Sequence, residues 1–349
     1  MKNLQEYKQE MESLQFSAGQ KAALSRRIIK AAGEGRAPRH APHLRPALAA
    51  VLAVAVLTAA AGATGLLKNV GEVFSGVFGS VCPTEIVDRI GEPVGASATD
   101  GGYTVTADAV LGDCYNLALV FSVGRADGGP FPVEVNEDGQ PFYFGERFID
   151  LGNYGGSHGS TQVRDLDPED NTLQVIEMIS FDKPIAGHKV SAHFKDLLPM
   201  AGGEPFAKGT WDLKFRLNYE DLSVTLPVGR DFTNDGTDFT LDRITVSPLG
   251  YRVEYRAKEE IPWEQEDGSA AGFSTGGQLP ASLNEILDRY LYSIPLTIER
   301  KDGTVLDCTA SGGSLGDDGH GVRSSIFPEL IDLDTVESIT FGGVEVPLG

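Results

Sequence analysis

The sequence predicts a mainly β protein, in which two extracytoplasmic antiparallel β-sandwich-like domains follow a short cytoplasmic helical segment and one transmembrane helix. Three observations support this prediction. A 21-residue run without charge begins at Ala47 and ends at Leu67. Apolar residues before this run recur with the period of a helix, and many short stretches after it alternate between apolar and polar residues, as half-buried strands do.

Charge is divided sharply along the chain. The 349 residues include 29 Lys and Arg against 50 Asp and Glu, a formal net charge of −21. Residues 1–46 contain nine basic and four acidic side chains, and the residues after Leu67 contain 20 basic and 46 acidic ones. Because phosphate binding needs a basic surface, we expect no direct nucleic-acid contact from the acidic part. The basic segment is better explained as an orientation and lipid signal.

Residues 1–33 are predicted to form the cytoplasmic helical segment. Its apolar residues recur at helical spacing on two short faces: Leu4, Tyr7, Met11, Leu14, Leu24 and Ile28. Two helices of this size bury little apolar surface by themselves. Either these six residues dock a cytoplasmic partner, or the segment is a juxtamembrane stalk whose basic residues contact anionic lipid.

The membrane part comes next. Residues 34–46 are a basic, Pro-rich juxtamembrane linker, and residues 47–67 are long enough to cross a lipid bilayer as one helix. Because basic residues crowd the N-terminal flank of this run, we expect a single-pass cell-membrane protein with its N-terminus in the cytoplasm and its C-terminal domains outside. A cleaved signal peptide is the alternative, but the 46 residues that precede the run favour a retained anchor.

Residues 68–83 form an apolar connector whose spacing suits an amphipathic helix near the membrane surface. The outer part then divides at 226–230 into β domain 1, residues 84–228, and β domain 2, residues 229–349. Nine runs are predicted to be strands: 103–111, 115–123, 173–181, 189–197, 211–217, 239–246, 251–256, 296–300 and 339–346. A short helix is predicted around 283–290.

No pattern in the sequence favours an enzyme, a cofactor or a metal site. His188 and His193 lie five residues apart around the start of a predicted strand, which does not suit zinc. His158 lies in a Gly- and Ser-rich stretch that could be a flexible active-site loop, but neighbouring Ser and His residues do not make a triad. Acidic clusters at 134–139, 165–171 and 231–238 are better explained as solvated turns than as calcium loops.

The cysteines are Cys82, Cys114 and Cys308, all in the predicted outer part, where disulfides are permitted. Three is an odd number, so at least one thiol is unpaired within a single chain. A bridge between Cys82 and Cys114 is conceivable, but independent free thiols are the expected state.

The order of segments and several strings resemble a family of Gram-positive membrane proteins called domain of unknown function 4179. The strings are residues 7–32, IGEPVGASA at 90–98, YTVTADAVLGD at 103–113, LDRITVSPLG at 241–250 and ITFGGVEVPL at 339–348. This resemblance implies an anti-sigma-factor-like protein, whose cytoplasmic helices hold a sigma factor while the outer domains sense or scaffold. Since no cysteine precedes Cys82, such a contact would use a helical segment without zinc.

Two functions from different classes follow. The first is a single-pass membrane regulator that binds a sigma factor through residues 4–32 and whose outer β domains perceive an envelope signal, with an extracellular ligand that is unknown. The alternative is a membrane-tethered surface module that binds a cell-wall polymer or another protein and has no transcriptional role.

Overall fold

The structure is a computed structural model, and it describes residues 70–79, 84–133, 140–152, 156–167, 170–263 and 281–348. Within these ranges the chain is mainly β, and every strand pairing is antiparallel, which confirms the β part of the predicted fold class. No helix among these residues is long and apolar enough to span a membrane. The cytoplasmic segment, the linker, the predicted span and Cys82 lie outside the described residues.

The elements follow one another in this order: α1 Val70–Phe78, α2 Thr84–Ile90, β1 Gly91–Asp100, β2 Tyr103–Gly112, β3 Asn116–Arg125, β4 Phe142–Asp150, β5 Ser157–Arg164, β6 Thr172–Phe181, β7 Lys189–Pro199, β8 Ala207–Arg216, β9 Val224–Asn234, β10 Thr237–Val246, β11 Gly250–Ala257, α3 Ala281–Leu287, a π-helix Asp288–Tyr292, β12 Leu296–Arg300, β13 Val305–Asp307, β14 Gly312–Leu315, β15 His320–Ile326, a 3-10 helix Leu333–Thr335, β16 Val336–Phe341 and β17 Val344–Pro347.

The first sandwich packs the sheet β1-β2-β3-β6-β5 against the sheet β4-β7-β8. Phe121 of β3 contacts Phe194 of β7 edge to face, with ring centroids 5.0 Å apart. Trp211 of β8 is fully buried, and its indole N–H donates a 3.0 Å hydrogen bond to the Tyr103 carbonyl. Alternate side chains of both sheets therefore build one core, as in other aligned sandwiches.

The second sandwich packs the sheet β14-β15-β11-β10-β9 against the sheet β13-β12-β16-β17. Aromatic rings of Phe239, Tyr255 and Phe341 fill its centre. Helix α3 continues directly into the π-helix, whose Tyr290 and Leu291 are buried in the same core. The predicted short helix thus exists, and its last turn is wider than an α-helix.

Helix α1 lies in the predicted apolar connector, and its apolar face packs on protein. Its apolar side chains are buried against the side of the β1-β2-β3-β6-β5 sheet that faces away from the first core, beside Ala118 and Val120. Leu249 and Leu330 of the second sandwich join the same cluster. Strand β3 is therefore covered on both faces.

A buried polar network joins the two sandwiches. Asp113 accepts hydrogen bonds from the backbone N–H groups of Tyr115 and Asn116, from the Asn116 amide at 2.8 Å and from the Ser247 hydroxyl at 2.5 Å. Burial raises the pKa of the Asp113 carboxyl, against the opposite effect of these hydrogen bonds.

The last strand of the first sandwich ends at Arg216, and the first strand of the second begins at Val224. The expected boundary at residue 228 lies inside this strand, β9, which pairs with β10.

Candidate binding surface

The outward face of the sheet β4-β7-β8, named here the β4–β7–β8 face, combines exposed aromatic rings with charged and polar groups. On β7 the even-numbered side chains from Val190 to Phe194 are buried in the first core. Because successive side chains of a strand point to opposite sides, Lys189, Ser191, His193 and Lys195 lie on the outward face. The neighbouring strands β4 and β8 add their outward side chains to the same surface.

Cross-strand pairs organise the middle of this face. His193 lies opposite Phe148 on one side and Asp212 on the other, and its Nδ1 is 2.7 Å from the Asp212 carboxylate. The Phe148 ring lies 6.2 Å from the imidazole and is 61% exposed. In the next row, Lys195 pairs with Glu146.

A second aromatic side chain, Tyr143, is exposed on the same edge strand. Phe142 and Phe144 are buried, so uninterrupted alternation would also bury Phe148. The alternation changes at Gly145, which lies opposite Asp196, a residue with a left-handed φ of 51°. Regular alternation already places Tyr143 outward, and this irregularity turns Phe148 to the same side, about 17 Å away along the strand at ~3.4 Å per residue.

A shallow depression of about 440 Å³ lies where these strands end. Its lining combines basic and polar groups with the small residues Gly152 and Gly187: Asp150, Leu151, Gly152, Gly187, His188, Lys189, Ser191 and Arg216. Lys189 lies directly opposite Arg216, and Ser191 lies opposite both Asp150 and Lys214. The depression can hold a small polar or anionic group at the rim of the aromatic face.

Behind this face a buried carboxyl group lies between the sheets. Arg147 of β4 points inward and donates a 2.9 Å hydrogen bond to Glu177 of β6, while the Thr161 hydroxyl donates to the other carboxylate oxygen at 2.7 Å. Burial raises the pKa of Glu177 to about 7, and the Arg147 charge and the Thr161 hydrogen bond oppose this rise.

The histidines singled out in the sequence have separate positions. His158 belongs to strand β5 and not to a flexible loop, and its Nε2 is 3.0 Å from the Ser324 carbonyl oxygen in the second sandwich. His193 lies on the β4–β7–β8 face, and His188 lines the depression beside it. The structure therefore does not bring these three imidazoles to one place.

Acidic side chains of the described clusters have partners within the protein. Asp170 accepts a backbone hydrogen bond from Thr172 in its own turn, and Asp231 of β9 pairs with Lys258, which follows β11, at 2.5 Å. Among the described residues there is no group of three or more His, Cys, Asp or Glu side chains that could hold a metal ion. Cys114 and Cys308 are free thiols, and burial raises the pKa of each to about 11.

The partner-binding residues expected from the sequence, Leu4, Tyr7, Met11, Leu14, Leu24 and Ile28, lie outside the described residues. Sequence analysis did not single out the β4–β7–β8 face. One signal for it exists: in residues 189–197 the apolar positions are Val190, Ala192 and Phe194, followed by Leu197, so the period of two breaks once.

No protein-family model matches this chain, and no curated protein matches it. Among solved structures, the chain is similar to the crystal structure of a conserved domain protein from Bacillus anthracis. The two share 13% sequence identity and a TM-score of 0.49, and the match covers 79% of each chain.

Proposed function

We propose that the β sandwiches are the extracytoplasmic, ligand-binding part of a single-pass membrane protein, and that they bind a cell-surface polymer through the β4–β7–β8 face. The observation that carries this proposal is the exposure of Tyr143 and Phe148 on one side of an edge strand. Because the two rings lie about 17 Å apart on one side of the strand, they suit two contacts along an extended ligand and not one apolar patch.

The chemistry around these rings suits a sugar polymer. An aromatic ring packs against the C–H groups of a sugar ring, and polar groups beside it bond the hydroxyls. His193, Asp212, Lys195 and Glu146 supply donors and acceptors in the rows next to Phe148. A surface of this kind binds along an extended chain without enclosing it.

Co-sedimentation of the full-length protein in detergent with purified Gram-positive cell walls tests this proposal. The double variant Tyr143→Ala/Phe148→Ala should bind at least tenfold more weakly. The matched control is Tyr292→Ala/Val305→Ala, which removes two exposed apolar side chains from the second sandwich and should leave binding unchanged. Equal sedimentation of the two double variants would contradict the assignment of the face.

A second proposal concerns the N-terminal segment, which we propose binds a sigma factor and so makes the protein anti-sigma-factor-like. The helical spacing of six apolar residues on residues 4–28 supports this, together with the resemblance to domain of unknown function 4179. This proposal predicts that a neighbouring gene encodes a sigma factor and that the full-length protein captures that sigma factor in purified form. The variant Leu14→Asp/Leu24→Asp should lose the capture, and absence of capture by the unchanged protein at micromolar concentration would refute the proposal.

A further inference from the structure

The cations at one end of the β4–β7–β8 face lie close together without carboxylate partners. Lys189, Lys214 and Arg216, named here the basic corner, are exposed on strands β7 and β8. Within the described part of the chain, none of the three forms an ion pair within 4.0 Å. Nearby cations do so: Lys195 pairs with Glu146, and Arg147 pairs with Glu177.

Strand pairing forces the three charges together. Lys189 lies directly opposite Arg216, and Lys214 lies one row further along the same outward side. Side chains directly opposite in an antiparallel pair have Cβ atoms about 5 Å apart, and like charges at that position repel. Two acidic side chains lie one row away in the register. Asp150 accepts a 2.7 Å hydrogen bond at Oδ1 from the Gly152 N–H, and Asp212, two residues before Lys214 on β8, is 2.7 Å from His193 Nδ1.

We propose that the basic corner binds the phosphate groups of an anionic cell-surface polymer built from polyol phosphates. This inference rests on the proposed function of the same face and adds the chemical class of its ligand. A phosphate placed here relieves the repulsion between Lys189 and Arg216.

Phosphate suits the corner better than a carboxylate does. An Arg guanidinium presents a planar fork of donors, and a Lys ammonium adds a compact charge with three donors. A phosphate group has enough oxygens to accept from all three side chains at once, whereas a carboxylate has two oxygens that one arginine already occupies. The polyol part of the polymer then extends along the face toward Phe148, which lies two residues before Asp150 on β4.

The acidic character of the residues after Leu67 also favours the basic corner as the site for an anionic polymer. The residues after Leu67 carry 20 basic and 46 acidic side chains, so an anionic polymer is repelled by most of this surface. The basic corner, whose three cations have no carboxylate partners, is therefore a site where an anionic polymer can approach. The contact should weaken with salt, because each phosphate contact releases counterions.

The test is equilibrium binding of the full-length protein in detergent to a polyglycerol phosphate chain, measured at 50 and 200 mM salt. The variant Lys189→Gln/Lys214→Gln/Arg216→Gln should bind at least tenfold more weakly, with a smaller salt dependence. The control Lys183→Gln/Lys301→Gln/Arg164→Gln removes two Lys charges and one Arg charge from exposed positions outside the β4–β7–β8 face and should stay within twofold of the unchanged protein.

Three further ligands complete the test. Neutral dextran and polyglutamate should bind at least tenfold more weakly than polyglycerol phosphate. For the protein in nanodiscs, without detergent, phosphatidylglycerol vesicles should also bind at least tenfold more weakly than polyglycerol phosphate does. Equal binding of any of these, or equal loss in the two triple variants, overturns the phosphate assignment. If cell walls bind through Tyr143 and Phe148 while the basic-corner variant binds them normally, this inference fails and the proposed function stands.

Discussion

Arg147 and Glu177 form an ion pair between the two sheets of the first sandwich, with Arg147 Nη1 2.9 Å from Glu177 Oε1. The carboxyl side chain is only 3% exposed, whereas the guanidinium group reaches solvent at the edge strand. On strand β4, the Phe148 side chain therefore points outward, whereas the charged side chain of the preceding residue, Arg147, points toward the core.

Changing Glu177 to Gln should change how stability depends on pH. Burial raises the pKa of Glu177 from 4.5 to about 7, so between these values the folded state keeps a proton that the unfolded chain releases. This group contributes its full stability below pH 4.5 and loses it as the pH rises to 7, a loss of up to roughly 3 kcal/mol.

Urea unfolding at pH 4.5 and pH 8 measures this effect. The difference between the two pH values should be smaller in Glu177→Gln than in the unchanged protein. Glu220→Gln is the control, because Glu220 is exposed and Arg89 lowers its pKa. An unchanged pH dependence in Glu177→Gln would show that Glu177 is ionised throughout this range.

Asp113→Ala should weaken the junction of the two sandwiches. It removes the acceptor of four hydrogen bonds, one of them from Ser247. The Asn116 backbone and side-chain N–H groups then lose this partner in a buried site, whereas the Ser247 hydroxyl keeps a 3.4 Å contact with the Gly250 carbonyl. Leaving such groups unsatisfied costs about 3 kcal/mol or more. Asp127→Ala, which removes an exposed carboxylate from a turn, should lower the denaturation midpoint far less. Similar midpoints for both variants would contradict a structural role for the network.

Arg323→Met should destabilise the π-helix. The fully buried guanidinium group donates to the Ser311 hydroxyl at 2.9 Å and to backbone carbonyls that include those of Leu291 and Ile294, at 2.5 and 3.2 Å. Methionine fills the space without donating, so about 3 kcal/mol should be lost. Hydrogen exchange of residues 288–294 should become faster, whereas the exposed-site variant Arg256→Met should leave these amides unchanged. Unchanged exchange in Arg323→Met would refute this role.

Cys114 and Cys308 should react slowly with iodoacetamide. Burial raises the pKa of each thiol to about 11, so at pH 8 only about one molecule in a thousand carries a thiolate at either position. Mass spectrometry of the labelled peptides should show slow modification of both cysteines in the native protein and fast modification in 8 M urea. Native labelling at the rate of the unfolded chain would contradict the buried position of Cys308 and the partly buried position of Cys114.

Strands with one buried face could be predicted from sequence. Residues 211–217 alternate clearly, and all but the last lie within the observed strand β8. The runs 173–181, 189–197 and 239–246 break the alternation, yet each lies within an observed strand, β6, β7 and β10. The predicted strand 339–346 becomes two, because Gly342 and Gly343 have positive φ angles and turn the chain between β16 and β17.

Other strands lack a clear alternation of apolar and polar residues, because of where they lie in the sheets. Strand β5 is an edge strand rich in Ser and Gly, and most of its side chains are partly or fully exposed. In β15 both Val322 and Arg323 are buried, since β11 and β14 flank it and packed elements cover both faces. The candidate surface was missed because exposure of Phe148 depends on the irregularity at Gly145 and Asp196, whereas the residue pattern alone predicts that Phe148 is buried.

The docking of helix α1 determines how the β sandwiches would respond to mechanical load. A tension applied to the chain at Val70 is carried first by the apolar contacts of α1 with the sheet, before any strand is pulled. Contacts of this kind have no directional bonds and separate over short distances. The helix would therefore detach at a lower force than is needed to separate the hydrogen-bonded strands. Both sandwiches would stay folded while α1 is pulled away from the sheet.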